Sequence, residues 1–395
     1  MDTILAQLRT LATKVGDDGR IKLLNALRDL QLSIETPADS LNRFAGLHLE
    51  ITAARIGEDL KLFETLSSAA NPLTVEELAS KTGAAPLLIS RLARYLASVG
   101  QITEVSTGTF TANKLTKTLA EPGYRGGIYH FFDNVGPVFQ ALPDFLAKTK
   151  YQDVTSASAT AFQKAFPEAG PLPAFMWLPT QPERFGHLQQ VMTVNGAGAS
   201  APWFVAFPFA EHAFSSSTPE TVLVDVGGGF GHQCLGLMGA FGGEKLGGGK
   251  LVLQDLPQTI AMFPPPLKGG LDASGVKVQE HDFFTEQPVK GARFYYLRNI
   301  LHDWPDDKCL EILARLKEAF GPQSQILIDE MVLPDQGVPW QAASIDLTMM
   351  ASLGSRERTS GEWKSLLDRA GLEILRVDTY APGRLDSVIQ VGRKK

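Results

Sequence analysis

Apolar positions in the first 120 residues recur at helical spacing. Ile4, Leu5, Leu8, Leu11, Ala12 and Val15 fall on one face of a predicted helix. A second run, Leu41 to Leu66, is apolar on more than one side, the pattern of a helix buried between neighbours or across a subunit interface. From Asn71 to Ala112 the punctuation tightens. Thr74 and Glu77 form a capping box, Gly83 closes that helix, Pro86 opens another carrying Leu88, Leu92 and Leu96, and Gly100 closes it. Ile102–Val105 and Thr109–Ala112 then flank a Ser-Thr-Gly turn and predict a short hairpin.

Two capped helices followed by a hairpin are a winged-helix pattern. Its second helix offers only Arg91 and Arg94 as cations, which favours a structural winged helix over a DNA-reading one. Residues 121–218 are rich in Phe, Pro and Trp, with helical stretches at Phe131–Lys148 and Pro182–Met192. So many large apolar side chains predict helices roofing a ligand pocket, not a linker.

From Thr221 the period changes. Val222–Val226, Leu251–Gln254, Val276–Val278, Phe294–Leu297 and Gln325–Asp329 are apolar runs of strand length. Helical patterns separate several of them; Cys309, Ile312, Leu313, Leu316 and Phe320 mark one such face. Fully apolar strands alternating with helices predict a parallel sheet covered on both sides. Glu373–Asp378 and Ser387–Val391 have no helix between them and predict an antiparallel pair at the end. The expected fold class is α/β, a Rossmann-like doubly wound sheet with an antiparallel last strand, preceded by an all-α, winged-helix-like domain.

Composition narrows the function. The chain has 395 residues, 43 acidic against 37 basic side chains and a net charge of −6. That balance gives no footprint for sequence-independent nucleic-acid binding. A hydrophobic share of 44% and a charged share of 20% belong to a globular protein. Cys234 and Cys309 are too few for a disulfide framework or a zinc site, and no metal centre is expected. No apolar run approaches the ~18 residues of a membrane span, and Met1-Asp2-Thr3 does not open a secretory signal. A cytoplasmic protein is the expectation.

Glycine is unevenly spread: 11 of the 24 residues from Gly227 to Lys250 are glycine. Asp225-Val226-Gly227-Gly228-Gly229-Phe230-Gly231 follows the first apolar strand and precedes a helix. Such a turn lets backbone approach a ligand closely, with a helix N-terminus behind it. Gly242–Gly249 is expected to be only a surface loop. Asp255, with Leu256 beside it, ends the next strand and suits the two hydroxyls of a ribose. Asp282 and Phe283 follow the third strand, placed to meet an adenine amino group and ring; a solvated turn aspartate beside a core Phe is the alternative.

His302 leaves the fourth strand at its carboxyl end, where open α/β sheets bind ligands. Its ordinary pKa suits proton transfer near neutrality. Glu330, ending the next strand, and Glu357 are candidates to hold that imidazole in one tautomer. A surface salt bridge with a neighbouring arginine is the other reading of Glu357.

On these residues the sequence resembles the plant and fungal small-molecule O-methyltransferases, class I and S-adenosylmethionine-dependent, of the caffeate-methyltransferase kind. The motifs are Val224-Asp-Val-Gly-Gly-Gly-Phe-Gly, Leu253-Gln-Asp-Leu-Pro, His281-Asp-Phe-Phe, Leu301-His-Asp-Trp-Pro-Asp and Gly354-Ser-Arg-Glu-Arg-Thr. The resemblance spans essentially the whole chain and implies three segments: a dimerisation domain (1–120), a substrate-pocket roof (121–218) and a cofactor-binding catalytic domain (219–395). It implies cofactor contacts at Asp225, Gly227, Gly229, Gly231, Asp255, Leu256, Asp282, Phe283 and Arg298. His302 would be the general base, with Glu330 and Glu357 orienting it, in a homodimer joined through the N-terminal helices. The implied substrate is a hydroxylated aromatic or polyketide-derived small molecule. Its pocket would draw on His130, Phe132, Trp177, Met192, Phe207, Met331 and Met349, with a plain core role open for the methionines.

Some fungal relatives keep this fold and cofactor but catalyse dehydration and pericyclic cyclisation without moving the methyl group. For that alternative the candidates are His130, Arg298 and Asn299, with a packed helix histidine as the other reading of His130. The complete His302–Glu330–Glu357 set favours methyl transfer. A winged-helix regulator with a vestigial cofactor fold is disfavoured by the weak basic charge.

Overall fold

The computed structural model describes residues 2–194, 202–214, 220–246 and 250–394. They form two compact units. One comprises Leu23–Asp144 and Phe175–Ala197; the other comprises Met1–Lys22, Phe145–Ala174 and Gly198–Lys395. Unit boundaries therefore cut across the segments drawn along the sequence, with 145–174 and 175–197 falling in different units.

In the first unit, Thr74 and Glu77 close the expected capping box on helix Val75–Thr82, and Gly83 ends it in the left-handed conformation. Helix Pro86–Ser98 follows, burying Ile89, Leu92, Ala93 and Leu96. Three short strands, β1 (Leu73–Thr74), β2 (Thr103–Ser106) and β3 (Thr109–Thr111), make the wing in the order β1-β3-β2. The apolar run Leu41–Leu66 is two helices, Pro37–Asp59 and Leu62–Ser68, split at Lys61, whose φ is +52°. Helix Pro122–Tyr129 lies against Pro182–Val194, and glycine makes that approach possible: a Cβ on Gly126 would come within 2.4 Å of Gln190 Cβ.

The second unit is built on one sheet. Its strands are β4 (Leu223–Val226), β5 (Leu251–Asp255), β6 (Lys277–Glu280), β7 (Phe294–Arg298), β8 (Gln325–Leu333), β9 (Arg358–Thr359), β10 (Leu372–Ala381) and β11 (Asp386–Arg393). The order is β10-β11-β8-β7-β4-β5-β6, with β9 beside β8. β4 to β8 pair in parallel, while β11 runs antiparallel to both β8 and β10. Because successive side chains face opposite ways, each central strand feeds two cores. Leu223, Leu253, Phe294, Tyr296, Leu327 and Val388 go to one, with Trp203, Phe207 and Phe209. Val224, Val226, Tyr295, Leu297, Ile326, Ile328 and Ile389 go to the other.

The glycine-rich insert is not wholly loop. Gly243–Leu246 form a helical turn, and residues 247–249 lie outside the described residues. No described helix is long and apolar enough to cross a membrane.

Candidate active site

The crossover order β8-β7-β4-β5 places the carboxyl ends of four strands side by side, and the expected residues sit there. After β4 the chain turns through Gly227, Gly229 and Gly231, with φ of +68°, +54° and +72°. These are values that residues with a Cβ adopt only at a cost. Asp255, at the tip of β5, holds the turn: its Oδ2 accepts the Gly229 N–H at 2.8 Å and its Oδ1 the Leu256 N–H at 2.8 Å. Burial pushes its carboxyl upward, against the pull of those donors. Asp225 is 1% exposed and lies beneath Gly228, whose Cβ would meet its Cγ at 2.5 Å. Burial pushes Asp225 up to about 7. It underpins the turn from below.

Phe283 and Ile300 approach Gly227 from above. A Cβ there would lie 2.7 Å from Ile300 Cδ1 and 3.4 Å from a Phe283 ring carbon. Gly227→Ala should therefore destabilise the protein by about 1–3 kcal/mol, from the positive φ and the crowding together. Urea denaturation checks this; an unchanged midpoint would refute it. Asp282 is exposed, and its Oδ1 accepts the Phe284 N–H at 3.0 Å.

His302 sits in a 3₁₀ turn, Leu301–Asp303, just past β7. Its Nδ1 is 2.7 Å from Glu357 Oε1 and 3.8 Å from Glu330 Oε2. Glu330 Oε1 accepts the N–H groups of Ile300 and Leu301, both at 2.9 Å. Glu330 thus fixes the turn while its second oxygen faces the ring. Neither Glu330 Oε2 nor Glu357 Oε2 has a hydrogen-bond partner among the described residues.

Burial by itself would favour a neutral His302, but the surrounding charges of Glu330, Asp303 and Glu357 outweigh it and raise the ring's pKa well above its usual value. Burial pushes Glu330 up to about 7 and Asp303 up to about 7, while His302 pulls both down. Among the described residues, His302, Glu330 and Glu357 form the one grouping with donor atoms within 4.8 Å of each other, as a cation would need. Yet Nδ1 is engaged by Glu357, and Glu330 Oε1 by peptide groups. The set is built to hold protons.

Three contributors were not singled out by sequence reasoning. Asp303 Oδ1 lies 3.3 Å from His302 Nε2. Asp346 Oδ1 accepts the Glu357 N–H at 2.9 Å. Arg358 is fully buried and donates to the carbonyls of Leu301 (3.1 Å) and Trp304 (3.4 Å) and to Asp306 Oδ1 (2.8 Å). The turn bearing His302 is gripped by a carboxylate at its N–H end and a guanidinium at its carbonyl end. Adjacency in sequence, Asp303 to His302 and Arg358 to Glu357, was the available signal.

Glu330 and its neighbour Asp329 serve opposite faces of β8. Asp329 is buried with Tyr296 and Tyr380, accepting from both phenols and from Arg298 Nη1 at 3.0 Å. Arg298 is thereby fixed at the tip of β7. Asn299 takes a left-handed conformation, φ +50°, and its N–H donates to the Asp329 carbonyl at 3.2 Å.

The pocket candidates divide between the units. In the first, Phe132 is half-buried, Trp177 is buried and Met192 is exposed. In the second, Met331 and Met349 are half-buried. Phe207 is fully buried, packed against Trp203 and Phe294 in the aromatic core.

Residues 209–373 match the O-methyltransferase domain, and residues 51–122 match the O-methyltransferase dimerisation domain. Demethylsterigmatocystin 6-O-methyltransferase of Aspergillus flavus is 40% identical over 381 residues, covering 96% of this chain and 95% of the relative. The chain belongs to the O-methyltransferase family. Among solved structures similar to this family member, LepI in complex with S-adenosylmethionine has a TM-score of 0.91 and 37% identity, covering 99% of this chain and 98% of that one. A structure described as a pericyclic reaction enzyme has a TM-score of 0.89 and 36% identity, covering 99% and 98%.

S-adenosylmethionine is the cofactor of this O-methyltransferase family, and the residues at the strand ends fit it. Gly229 has open space where a Cβ would be, with no atom within 4 Å. Helix His232–Phe241 begins at Gly231 with no side chain capping its first turn, so its N–H groups remain for a ligand. Asp255 presents a carboxylate beside that cradle.

Proposed function

We propose that the chain transfers a methyl group from S-adenosylmethionine to a hydroxyl of an aromatic or polyketide-derived small molecule. The observation that carries this reading is the 2.7 Å contact between His302 Nδ1 and Glu357. It commits Nδ1 to a carboxylate, so the nitrogen to exchange a proton with the acceptor hydroxyl is Nε2, where Asp303 Oδ1 stands 3.3 Å away.

The bound cofactor supplies an electrophilic methyl on a sulfonium. Gly227, Gly229, Gly231 and Asp255 would hold it, with Leu256, Asp282 and Phe283 around its nucleoside and Arg298 toward its charged end. His302 takes the hydroxyl proton as oxygen attacks. A phenol titrates near ~10 and free imidazole near ~6.5. By raising the imidazole's pKa, the acids around it narrow that gap. Glu357 and Glu330 then stabilise the imidazolium. In-line displacement gains most from positioning, and the clamped turn from Ile300 to Trp304 supplies it.

The matched dimerisation domain supports a homodimer formed through the N-terminal helices. The two cysteines, both free and buried, fit a reducing cytoplasm.

Similarity to a pericyclic reaction enzyme and to LepI over nearly the full chain favours a second reading. In it the cofactor contributes only fixed positive charge to a cyclisation, with His130, Arg298 and Asn299 acting on substrate. Mass spectrometry with methyl-labelled S-adenosylmethionine separates the two. The expected product carries the labelled methyl. A cyclised, unlabelled product with intact cofactor would overturn methyl transfer.

A further inference from the structure

Asp282 and Phe283 stand on the loop that joins β6 to β7. Two further side chains are tied to that loop, and neither the glycine turn nor the His302 set uses them. Gln254, next to last in β5, and Gln287, farther along the loop, are both 0% exposed. Amides in an apolar interior are costly unless their groups are paired. Here they face each other. Gln254 Nε2 donates to Gln287 Oε1 at 2.8 Å, and Gln287 Nε2 donates to Gln254 Oε1 at 2.9 Å. Gln254 Nε2 also donates to Gln279 Oε1 at 2.9 Å.

Which end of each amide is oxygen follows from the backbone. The Val289 N–H, which can only donate, meets Gln287 Oε1 at 3.1 Å. That atom must accept, so the Gln254 atom facing it is the NH2 group. The Gln254 oxygen then faces the Gln287 NH2, and Gln279 offers its own oxygen. One peptide N–H thus orients three side chains.

The same stretch of β5 holds the cofactor turn. The Gln254 carbonyl accepts the Gly228 N–H at 3.1 Å, and the Asp255 carboxylate accepts the Gly229 N–H at 2.8 Å. The Asp255 carbonyl accepts the His281 N–H at 2.9 Å. The loop is therefore joined to β5 at His281 and again at Gln287, with Asp282 and Phe283 between. Inside that span, Thr285 Oγ1 donates to the Asp282 carbonyl at 2.7 Å, and Arg315 Nε donates to the Phe284 carbonyl at 3.2 Å. Asp282 Oδ1 is taken by the Phe284 N–H. Its other oxygen has no hydrogen-bond partner among the described residues, and the residue is exposed.

We infer that the Gln254–Gln287 amide pair sets base specificity at the cofactor site, by holding the loop from His281 to Val289 so that the remaining oxygen of Asp282 accepts from the exocyclic amino group of adenine. Both glutamines are positioning residues: fully buried, they act through Asp282. Two apolar side chains would fill the same space with similar stability. Paired amides add direction, because they bond in a single register. The inference rests on the reading that places Asp282 and Phe283 around the nucleoside.

The test titrates full-length protein calorimetrically with two ligands. One is S-adenosylhomocysteine; the other is S-inosylhomocysteine, in which an oxo group replaces the adenine amino group. Wild type should prefer the first by about tenfold, because the second brings no donor to Asp282. Gln287→Met, and the double variant Gln254→Met with Gln287→Met, should bind S-adenosylhomocysteine about tenfold more weakly and prefer it by less than about threefold. The double variant leaves neither amide facing an apolar partner, which keeps the fold where the single variant loses it. Thermal denaturation without ligand identifies the folded proteins. A role in folding alone would lower the melting temperature and leave the preference intact. A tenfold preference kept by a folded variant therefore overturns the inference. Asp282→Ala should also lose the preference; its persistence there overturns the assignment of the amino group to Asp282. Equal affinities of wild type for the two ligands would instead remove Asp282 from the base, and the inference with it.

Discussion

Replacing His302 by alanine should lower methyl transfer by about 10²- to 10⁴-fold, the contribution expected of a positioned general base. Binding of S-adenosylmethionine, read by calorimetry, should change little, because His302 is not among the residues of the glycine turn. The loss should fall on kcat, since the proton moves only as the new bond forms. The intact enzyme should carry a pH signature as well. His302 has its pKa raised by Glu330, Asp303 and Glu357. The neutral ring that accepts a proton is populated only as pH passes that raised value. Activity should therefore increase with pH, with its rising limb displaced above the ~6.5 of an ordinary histidine. Glu357→Gln removes the carboxylate in contact with Nδ1 and should shift the limb downward while reducing the rate. A pH profile identical in wild type and Glu357→Gln would break the proposed link between the two residues. Retention of full activity in His302→Ala would remove the base altogether.

The second large effect concerns the cofactor. Asp255→Ala should weaken S-adenosylmethionine binding by about 10- to 150-fold, the ~1.5–3 kcal/mol of hydrogen bonds to a charged group. Two losses combine in it. On the proposed reading the ribose would lose its carboxylate acceptor, and the N–H groups of Gly229 and Leu256 lose their partner. The turn then relaxes from its left-handed conformations. Asp255→Asn keeps one acceptor oxygen and should fall between alanine and wild type. Calorimetric titration with S-adenosylhomocysteine gives the ranking directly; equal affinities in all three proteins would remove Asp255 from the site.

The two experiments probe parts of the site that differ in how openly the sequence displays them. Gly227, Gly229, Gly231 and Asp255 each end a strand or open a helix. Their placement follows from local geometry: a tight turn needs glycine, and in an open parallel sheet the strand tips are where ligands bind. His302 was legible for the same reason. Glu357 was legible only as one of two carboxylates for the ring. It stands 55 residues from His302, and an alternation of strands and helices does not state which distant loop returns to a given strand end.

The sequence by itself determined the alternation of apolar strands with helices, the antiparallel final pair, the capped helices of the first unit and the chemistry available at each strand end. These follow from side-chain periodicity and from the backbone preferences of glycine and proline, which act over a few residues. Only the tertiary structure decided which groups meet. The pleat of β8 sends Asp329 to Tyr296, Tyr380 and Arg298 and sends Glu330 to His302, although the two acids are neighbours in the chain. The return of β9 beside β8 buries Arg358 against the carbonyls of the His302 turn. The π-helical turn at His130 brings Asn134 against the Arg184 guanidinium, 50 residues away, so that one side chain meets both that arginine and the His130 ring. Hydrogen-bond donors and acceptors carry direction, and direction is set by packing between segments far apart in the chain.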